Sequence, residues 1–332
     1  MGAYRPLHDA EIRTLENRAC TAADWSLVQV GEGFDPLRVQ NAHFAGKIRI
    51  GSLQGTVSVE GGVELPASIL DATLVNCVLG DDVRIAHIGS HIANYVVETG
   101  ACIVDVGTMA TRPGATFGNG VEAETVNEGG GREVVLFDEL SSQFAYLLAM
   151  HRHNPELIAR LQAMVADHVA AVRSDIGRVS RGAVISHVGE IIDVNVGPAA
   201  VVSGAQRLRN GTILSERAAP ARVGAGVVAE DFIIGEGSSV EDGVLRVVAL
   251  DTQDFNADGY RVAAGEVTVE YQLSGFQNHT LVVEGREDEL RLEVENGGTD
   301  SGTITLEPGR YILYCDVAGH REGGMEARLL VG

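Results

Sequence analysis

The spacing of apolar residues changes along the chain, and each spacing predicts a different structure. In DAEIRTLENRAC, Ile12, Leu15 and Ala19 fall on one face of a short helix with Asp9 as its N-cap. From about residue 46, aliphatic residues recur every six positions beside Gly, Asp or Asn, in the series Val63, Ile69 and Val75; Leu79 and Ile85; Val97 and Ile103; Ile185 and Ile191; Val196, Val202, Leu208 and Leu214; and Val228, Ile234 and Val240. This period predicts a hexapeptide β-helix, in which three repeats close one coil and the aliphatic side chains point inward.

A helical segment interrupts the six-residue series. ELSSQFAYLLAMHRH is apolar nearly all round, and Asn154, Pro155 and Glu156 then supply an N-cap, a proline at the first helical position and an acid in the first turn. We therefore predict a helical hairpin, inserted between coils, over about residues 136–175. The glycine run NEGGGRE at 127–133 lacks the lysine and the strand–loop–helix context of a phosphate-binding loop, and is interpreted as the loop before this insertion.

After Gly243 the apolar residues alternate with polar ones. Seven short segments follow this pattern, with turn signals such as NADG and ENGG between them: RVVAL, EVTVEYQL, HTLVVEG, ELRLEVE, GTITL, RYILYC and MEARLLV. Short alternating strands at this density predict a small β-sandwich. The expected fold is therefore mainly β, with a β-helix domain over residues 1–243 and a sandwich domain over residues 244–332.

Charge and composition narrow the function. The formal net charge of −21 argues against a nucleic-acid partner, because phosphate binding needs clustered Lys and Arg. No segment approaches the roughly 18 apolar residues of a membrane helix, and the N-terminus as written has no signal-peptide core, which favours a cytoplasmic location. Cys20, Cys77, Cys102 and Cys315 show no paired spacing, so we expect free thiols.

The segment YCDVAGHREGGME carries candidate chemistry. Cys315, His320 and Met325 follow one another at five-residue intervals after the strand YILYC, and His279 is the one other histidine of residues 244–332. Two imidazoles and a thiolate with a weak axial thioether form the donor set of a type 1 copper site. Residues 244–332 hold no further histidine for additional copper centres, so the sequence favours an electron carrier over a copper oxidase.

Residues 245–332 resemble the cupredoxins, and the Cys-x4-His-x4-Met spacing is most similar to the rusticyanin and sulfocyanin branch. The resemblance implies a Greek-key β-sandwich, one type 1 copper ion and one-electron exchange with a redox partner protein. It also implies an exported protein, in conflict with the N-terminus. The implied strong ligands are His279, Cys315 and His320, with Met325 as the axial ligand. The sequence departs from many cupredoxins at Thr280, where they carry Asn beside the first histidine.

Residues 1–243 resemble a bacterial family of unknown function, through the segments RPLHDAEIRTLENRACTAADW, NEGGGREVVLFDELSSQFAYLLAMHRHNPELIARL and APARVGAGVVAEDFIIGEGSSVEDG. Members of that family are predicted left-handed parallel β-helices with a helical insertion, and they continue with more β-helix where this chain changes pattern. The resemblance implies left-handed coils, which are generally trimeric, so we expect a homotrimer.

Two other functions stay open at the level of sequence. Left-handed β-helices often belong to acyl- or nucleotidyl-transferases that use a histidine base between subunits, and the copper domain would then be accessory. The candidate bases are His43, His87, His91 and His187. A third interpretation is a structural scaffold whose C-terminal sandwich binds no metal.

Overall fold

The chain divides into two units, residues 1–240 and 241–332. The structure is a computed structural model that describes residues 4–59, 63–123, 133–240, 244–262 and 265–331. The glycine run NEGGGRE lies outside the described residues except for its last position, Glu133. The described chain is mainly β, and none of its helices combines the length and apolarity that a membrane span requires.

The first unit contains three α-helices, α1 (Asp9–Asn17), α2 (Ser142–Met150) and α3 (Pro155–Val172), and two 3₁₀ turns, Trp25–Leu27 and Pro36–Arg38. The prediction of Asp9 as the first N-cap is wrong, because α1 begins at Asp9 and His8 is the cap. The cause is the Glu11 carboxylate, which bonds the backbone of His8. Glu11 accepts the backbone N–H of His8 at 2.8 Å and is itself held by Arg5 at 2.7 Å, so the helix starts one residue earlier.

Helices α2 and α3 lie within the predicted insertion. The Asn154 side chain accepts the N–H of Leu157 at 3.1 Å and Pro155 occupies the first turn, which confirms the predicted start of α3. Leu148 on α2 packs with Ile158 and Leu161 on α3 and with Val134, in a cluster separate from the main core. The amphipathic spacing of α3 therefore builds a small core of its own.

Among its described residues, the first unit contains twenty-two strands, β1 to β22. In chain order they are Arg5–Pro6, Thr21–Ala22, Val28–Val30, Val39–Ala45, Ile48–Ile50, Thr56–Ser58, Glu64–Pro66, Ser68–Val75, Val78–Leu79, Arg84–Ile88, Ile92–Ala93, Tyr95–Val97, Cys102–Ala110, Glu122–Ala123, Val134–Val135, Gly177–Val179, Val184–Val196, Val201–Ser203, Arg207–Ile213, Arg222–Val223, Val228–Ile234 and Ser239–Val240.

Most of these strands pair in parallel with a strand that lies later in the chain. Arg84 of β10 is opposite Cys102 of β13, eighteen residues on, and Val184 of β17 is opposite Val201 of β18. The ladder continues across the helical insertion, since Cys102 also pairs with Val184. Buried aliphatic side chains of the successive strands form one continuous core. The strands of this ladder are therefore held by parallel neighbours rather than by hairpin partners.

Three of the predicted inward-facing positions are exposed. Val63 and Val228 are each 53% exposed and Val240 is 36% exposed, so the six-residue prediction is wrong there. Val63 lies next to the antiparallel pair β6–β7, which leaves the parallel ladder. The parallel register places Val228 beside Arg207, whose side chain faces solvent, and the neighbouring Val227 is buried instead.

The described part of the second unit contains nine strands, β23 to β31: Val244–Leu250, Asp254–Phe255, Gly259–Val262, Gly265–Ser274, His279–Val283, Arg291–Val294, Thr299–Leu306, Gly309–Tyr314 and Glu326–Val331. They form a four-stranded sheet in the order β24-β23-β26-β29 and a five-stranded sheet in the order β25-β31-β30-β27-β28. Apolar side chains of both sheets, such as Val247, Val269, Leu281 and Leu329, share one core. The predicted strand pattern therefore gives two sheets packed face to face.

Glycines that face one another on successive strands let the backbones of the first unit approach closely. A substitution at one of these glycines tests the approach. A Cβ added to Gly107 would collide with the carbonyl oxygen of Gly189 in the next layer. We expect Gly107→Ala to lower the free energy of unfolding by about 1–3 kcal/mol, through the backbone shift that overpacking forces. Denaturant titration of both proteins measures the difference.

Gly235→Ala is the matched control, because the nearest described heavy atom to its added Cβ is Ser238 Oγ at 3.7 Å. Its free energy of unfolding should stay within about 0.5 kcal/mol of wild type. Equal losses in the two variants would contradict the close backbone approach at Gly107.

Candidate metal centre

The four residues predicted as copper ligands lie at one end of the five-stranded sheet. His279 is the first residue of β27, Cys315 directly follows β30, and Met325 directly precedes β31. Strands β30 and β31 pair antiparallel with Tyr314 opposite Glu326, which closes the intervening segment into a short loop. Strand β27 pairs with β30 on its other side, so the sheet register brings His279 to the same end.

The structure brings three of these side chains together. One ligand atom each from His279, Cys315 and His320 lies within 4.8 Å of the others, and among the described residues this is the only such group of His, Cys, Asp or Glu. The Cys315 Sγ lies 3.5 Å from His320 Nδ1, and the two imidazole ring centroids are 4.9 Å apart. His279 and Cys315 are fully buried and His320 is 8% exposed, so the donors face one another away from solvent.

Met325, the predicted axial ligand, is held by its backbone at the base of the same loop. Its N–H donates to the His320 carbonyl at 3.0 Å, and its carbonyl accepts the Cys315 N–H at 3.2 Å. Its side chain is fully buried in the same apolar cluster as Cys315. Backbone hydrogen bonds therefore fix Met325 to Cys315 and His320, two of the three other predicted ligands.

The loop owes its shape to backbone hydrogen bonds and two glycines. The His320 N–H donates to the Val317 carbonyl at 3.0 Å, which turns the chain sharply after Cys315. Gly319 and Gly324 adopt φ values of +85° and +108°, a region that side chains disfavour. The sequence GHREGG can therefore fold tightly around His320.

An acidic side chain anchors the segment that leads into His279. The Asp251 carboxylate accepts the N–H groups of Phe276 and Gln277 at 2.8 and 3.0 Å, and these bonds hold its pKa below the ordinary range. Gly275 passes so close to this carboxylate that an added Cβ would overlap it. The approach to His279 is therefore rigid before β27 begins.

The His279 imidazole is buried without a polar partner. Neither Nδ1 nor Nε2 has a hydrogen-bond partner among the described residues. Burial, and secondarily the neighbouring His320, lower its pKa, so the ring is neutral near pH 7. Leaving a buried polar group unsatisfied costs about 1–3 kcal/mol. A neutral imidazole that faces a thiol and a second imidazole is a fitting donor for a soft or borderline metal ion.

The other thiols of the chain do not compete for this role. All four cysteines are free and buried. Burial raises the pKa of Cys77 and of Cys102 to about 11, and among the described residues neither thiol belongs to a group of three candidate metal-ligating side chains.

Sequence reasoning missed two residues that support the site. The Thr280 side chain, noted as a departure from the cupredoxin pattern, donates to Asp316 Oδ1 at 2.7 Å, and Arg291 pairs with the same carboxylate at 2.9 Å. Arg291 and Asp316 are 25 residues apart and meet across strands of the sheet. Their charges are complementary, but sequence spacing carries no signal that they pair.

The histidines predicted as candidate transferase bases belong to the first unit. The Nδ1 atoms of His87 and His187 lie 3.1 and 3.3 Å from separate oxygens of Asp105. His43 Nδ1 lies 2.7 Å from the Thr21 hydroxyl and His91 Nδ1 lies 2.9 Å from the Ser90 hydroxyl. His87 and His187 are each more than half exposed, and both contact the Asp105 carboxylate at the surface.

Comparison with solved structures finds matches that each cover 27% of this chain. Reduced auracyanin from Roseiflexus castenholzii is 19% identical, over 27% of this chain and 98% of its own, with a TM-score of 0.25. Auracyanin A from Chloroflexus aurantiacus, described as a "blue" copper protein, is 21% identical over 27% and 98%, with a TM-score of 0.24. An azurin from Methylomonas sp. strain J is 16% identical over 27% and 97%, with a TM-score of 0.23.

The chain is thus a mainly β protein with a candidate His–Cys–His metal centre. It belongs to the family described as Domain of unknown function (DUF4954), whose model matches residues 4–255. An uncharacterized protein of Treponema pallidum (strain Nichols) is 31% identical over 249 residues, which is 72% of this chain. The chain spans about a third of the length of that relative, 34%.

The unpartnered imidazole predicts an unusual effect on stability. We expect His279→Phe to raise the free energy of unfolding of the metal-free protein, by up to about 1–3 kcal/mol, because the buried nitrogens are removed while the aromatic ring is kept. Chemical denaturation in the presence of a chelator measures this change.

His43→Phe serves as control, because that imidazole lies on the surface with a hydroxyl beside Nδ1, and the substitution should bring no gain. A marked loss of stability in His279→Phe would mean that the His279 nitrogens are satisfied in solution and would contradict the interpretation.

Proposed function

We propose that the protein binds one copper ion through His279, Cys315, His320 and Met325, and carries single electrons from a protein reductant to a protein oxidant. The observation that carries the proposal is the buried His279 imidazole, with both nitrogens unpartnered among the described residues, grouped with a thiol and a second imidazole. A buried polar group of this kind is expected where a ligand completes its bonding.

The donor chemistry supports copper. Thiolate and thioether are soft donors that suit Cu(I), and imidazole suits both oxidation states, so a bound copper ion supplies a reversible one-electron couple. Two histidines and a cysteine with a weak methionine donor form the set found in blue-copper electron-transfer sites. Zinc also accepts Cys and His, but structural zinc sites use Cys, His and carboxylate donors rather than a thioether.

The surroundings of the donors support electron transfer rather than catalysis. His279 and Cys315 are fully buried, and His320 is nearly so, whereas a catalytic metal keeps an open position for substrate. The backbone bonds of Met325 and the Asp251 anchor hold the donors in place. A site that is held by the fold changes little between oxidation states, which favours rapid electron exchange.

For the first unit we propose a left-handed β-helix that acts as a scaffold and assembles the protein into a homotrimer. The supporting observation is the parallel ladder, in which strands such as β10 and β13 pair with a shift of eighteen residues, three times the six-residue period. The histidines of this unit give no comparable support for a transferase, since His87 and His187 pair with one surface carboxylate.

Copper binding is directly measurable. We expect Cu(II) added to the purified protein to produce an intense visible thiolate-to-copper absorption that saturates at one ion per chain. Cys315→Ser should abolish the band, because the charge transfer originates on that sulfur.

The matched control is Cys102→Ser, which removes another buried thiol of the chain and should leave the band intact. If the wild-type protein gave no band, or if both cysteine variants kept it, the proposed copper site would be wrong.

The role of Met325 predicts a separate outcome. Met325→Leu conserves volume, so the protein should fold and keep the visible band. The reduction potential should rise, because a thioether accepts either oxidation state but its loss destabilises the more highly charged Cu(II) more than Cu(I). Cyclic voltammetry of both proteins measures the shift. An unchanged potential would exclude Met325 as a ligand and leave a three-donor site.

A further inference from the structure

A chain of three polar side chains lies behind the Cys315 sulfur. The Thr280 side chain is fully buried, with Oγ1 at 3.4 Å from Cys315 Sγ and at 2.7 Å from Asp316 Oδ1. The Asp316 backbone N–H in turn donates to Thr280 Oγ1 at 2.9 Å. Thr280 therefore stands between two acceptors, a sulfur and a carboxylate oxygen.

The Thr280 hydroxyl has only one proton to give. A hydroxyl donates once and accepts through its lone pairs, and an ionised carboxylate can only accept. The oxygen-to-oxygen distance of 2.7 Å to Asp316 is that of a strong charge-assisted bond, whereas 3.4 Å to the sulfur is longer. The proton therefore goes to Asp316, and the sulfur is left with the Thr280 backbone N–H, which donates to it at 3.3 Å.

Arg291 holds the carboxylate in the position where it captures this proton. Its Nε and Nη2 contact Asp316 Oδ2 and Oδ1 at 2.9 and 3.1 Å, a two-point contact that fixes the carboxylate plane. Arg291 also contacts Glu293 at 3.0 Å through Nη1.

We infer that the Arg291–Asp316 pair keeps the Thr280 hydroxyl off the Cys315 sulfur and thereby lowers the reduction potential of the centre. The inference rests on the proposed copper function and concerns residues outside the ligand set. Hydrogen bonds around the cysteine sulfur tune the potential of such sites. A second bond to the thiolate would withdraw charge that stabilises Cu(II) and would raise the potential.

The test first frees the Thr280 hydroxyl from its acceptor Asp316 and then removes that hydroxyl. Asp316→Ala frees the Thr280 proton for the sulfur, so the reduction potential should rise and the thiolate-to-copper band should move to higher energy. Thr280→Val alone should change either quantity little, because its hydroxyl does not bond the sulfur in the wild type. The double variant Asp316→Ala/Thr280→Val should lose most of the rise.

Glu293→Gln is the matched charge control. It removes one negative charge that also pairs with Arg291. Glu293 lies opposite Thr280 on β28, but no hydrogen bond joins its carboxylate to the Thr280 hydroxyl among the described residues, so the potential should stay near wild type. If Asp316→Ala raised the potential equally with and without the Thr280 hydroxyl, the effect would be one of charge alone and the inference would be overturned. A large shift in Thr280→Val alone would overturn it as well.

Failure of the proposed function would show differently, as a wild-type protein without a blue band. Without bound copper there would be no reduction potential to compare. The hydrogen bond from the Thr280 hydroxyl to Asp316 would then be tested in the metal-free protein. There the losses in Tm caused by Asp316→Ala and Thr280→Val should be less than additive, since both remove one bond. Additive losses would show that the two side chains do not bond in solution.

Discussion

The hydrogen bond from the Thr280 amide to the Cys315 sulfur joins the two separate segments that make the candidate metal centre. One segment is the start of β27, with His279; the other is the loop between β30 and β31, with Cys315 and His320. Their meeting depends on sheet register, because Val282 of β27 lies opposite Tyr314 of β30. A slip of one residue would turn His279 to the other face of the sheet, so the strand register also fixes the site.

The buried His279 side chain lowers the stability of the fold while it serves the proposed function. The second unit places an imidazole with two unpartnered nitrogens at the edge of its apolar core, which a fold optimised for stability alone would avoid. The cost is offset by the shared core of the two sheets and by the backbone bonds that tie Met325 and Asp251 to the site. Violations of this kind are expected at functional sites, where a binding partner supplies the missing interactions.

The sequence was most informative where chemistry and spacing coincide within one segment. Cys315, His320 and Met325 follow one another within one short segment, so local reasoning was enough to propose them together. The start of α3 depends on three consecutive residues, and its prediction is confirmed. Local reasoning failed where partners are distant. His8, bonded to Glu11, is the N-cap of the first helix in place of Asp9. The strand register determines that the Val228 side chain is exposed. The Arg291–Asp316 pair depends on which strands are neighbours, which periodicity does not reveal.

The choice of metal in the proposed function depends on the side chain that contributes least to binding. His279, Cys315 and His320 offer donors that zinc and copper both accept, and the Irving–Williams order favours copper only where copper is available. Met325 separates the two ions, since a thioether is a soft donor with affinity for Cu(I). Its backbone is held without a metal, because the Met325 N–H donates to the His320 carbonyl and the Met325 carbonyl accepts the Cys315 N–H. In the proposed function, a thioether donor from this residue would favour copper over zinc more than the three stronger ligands would.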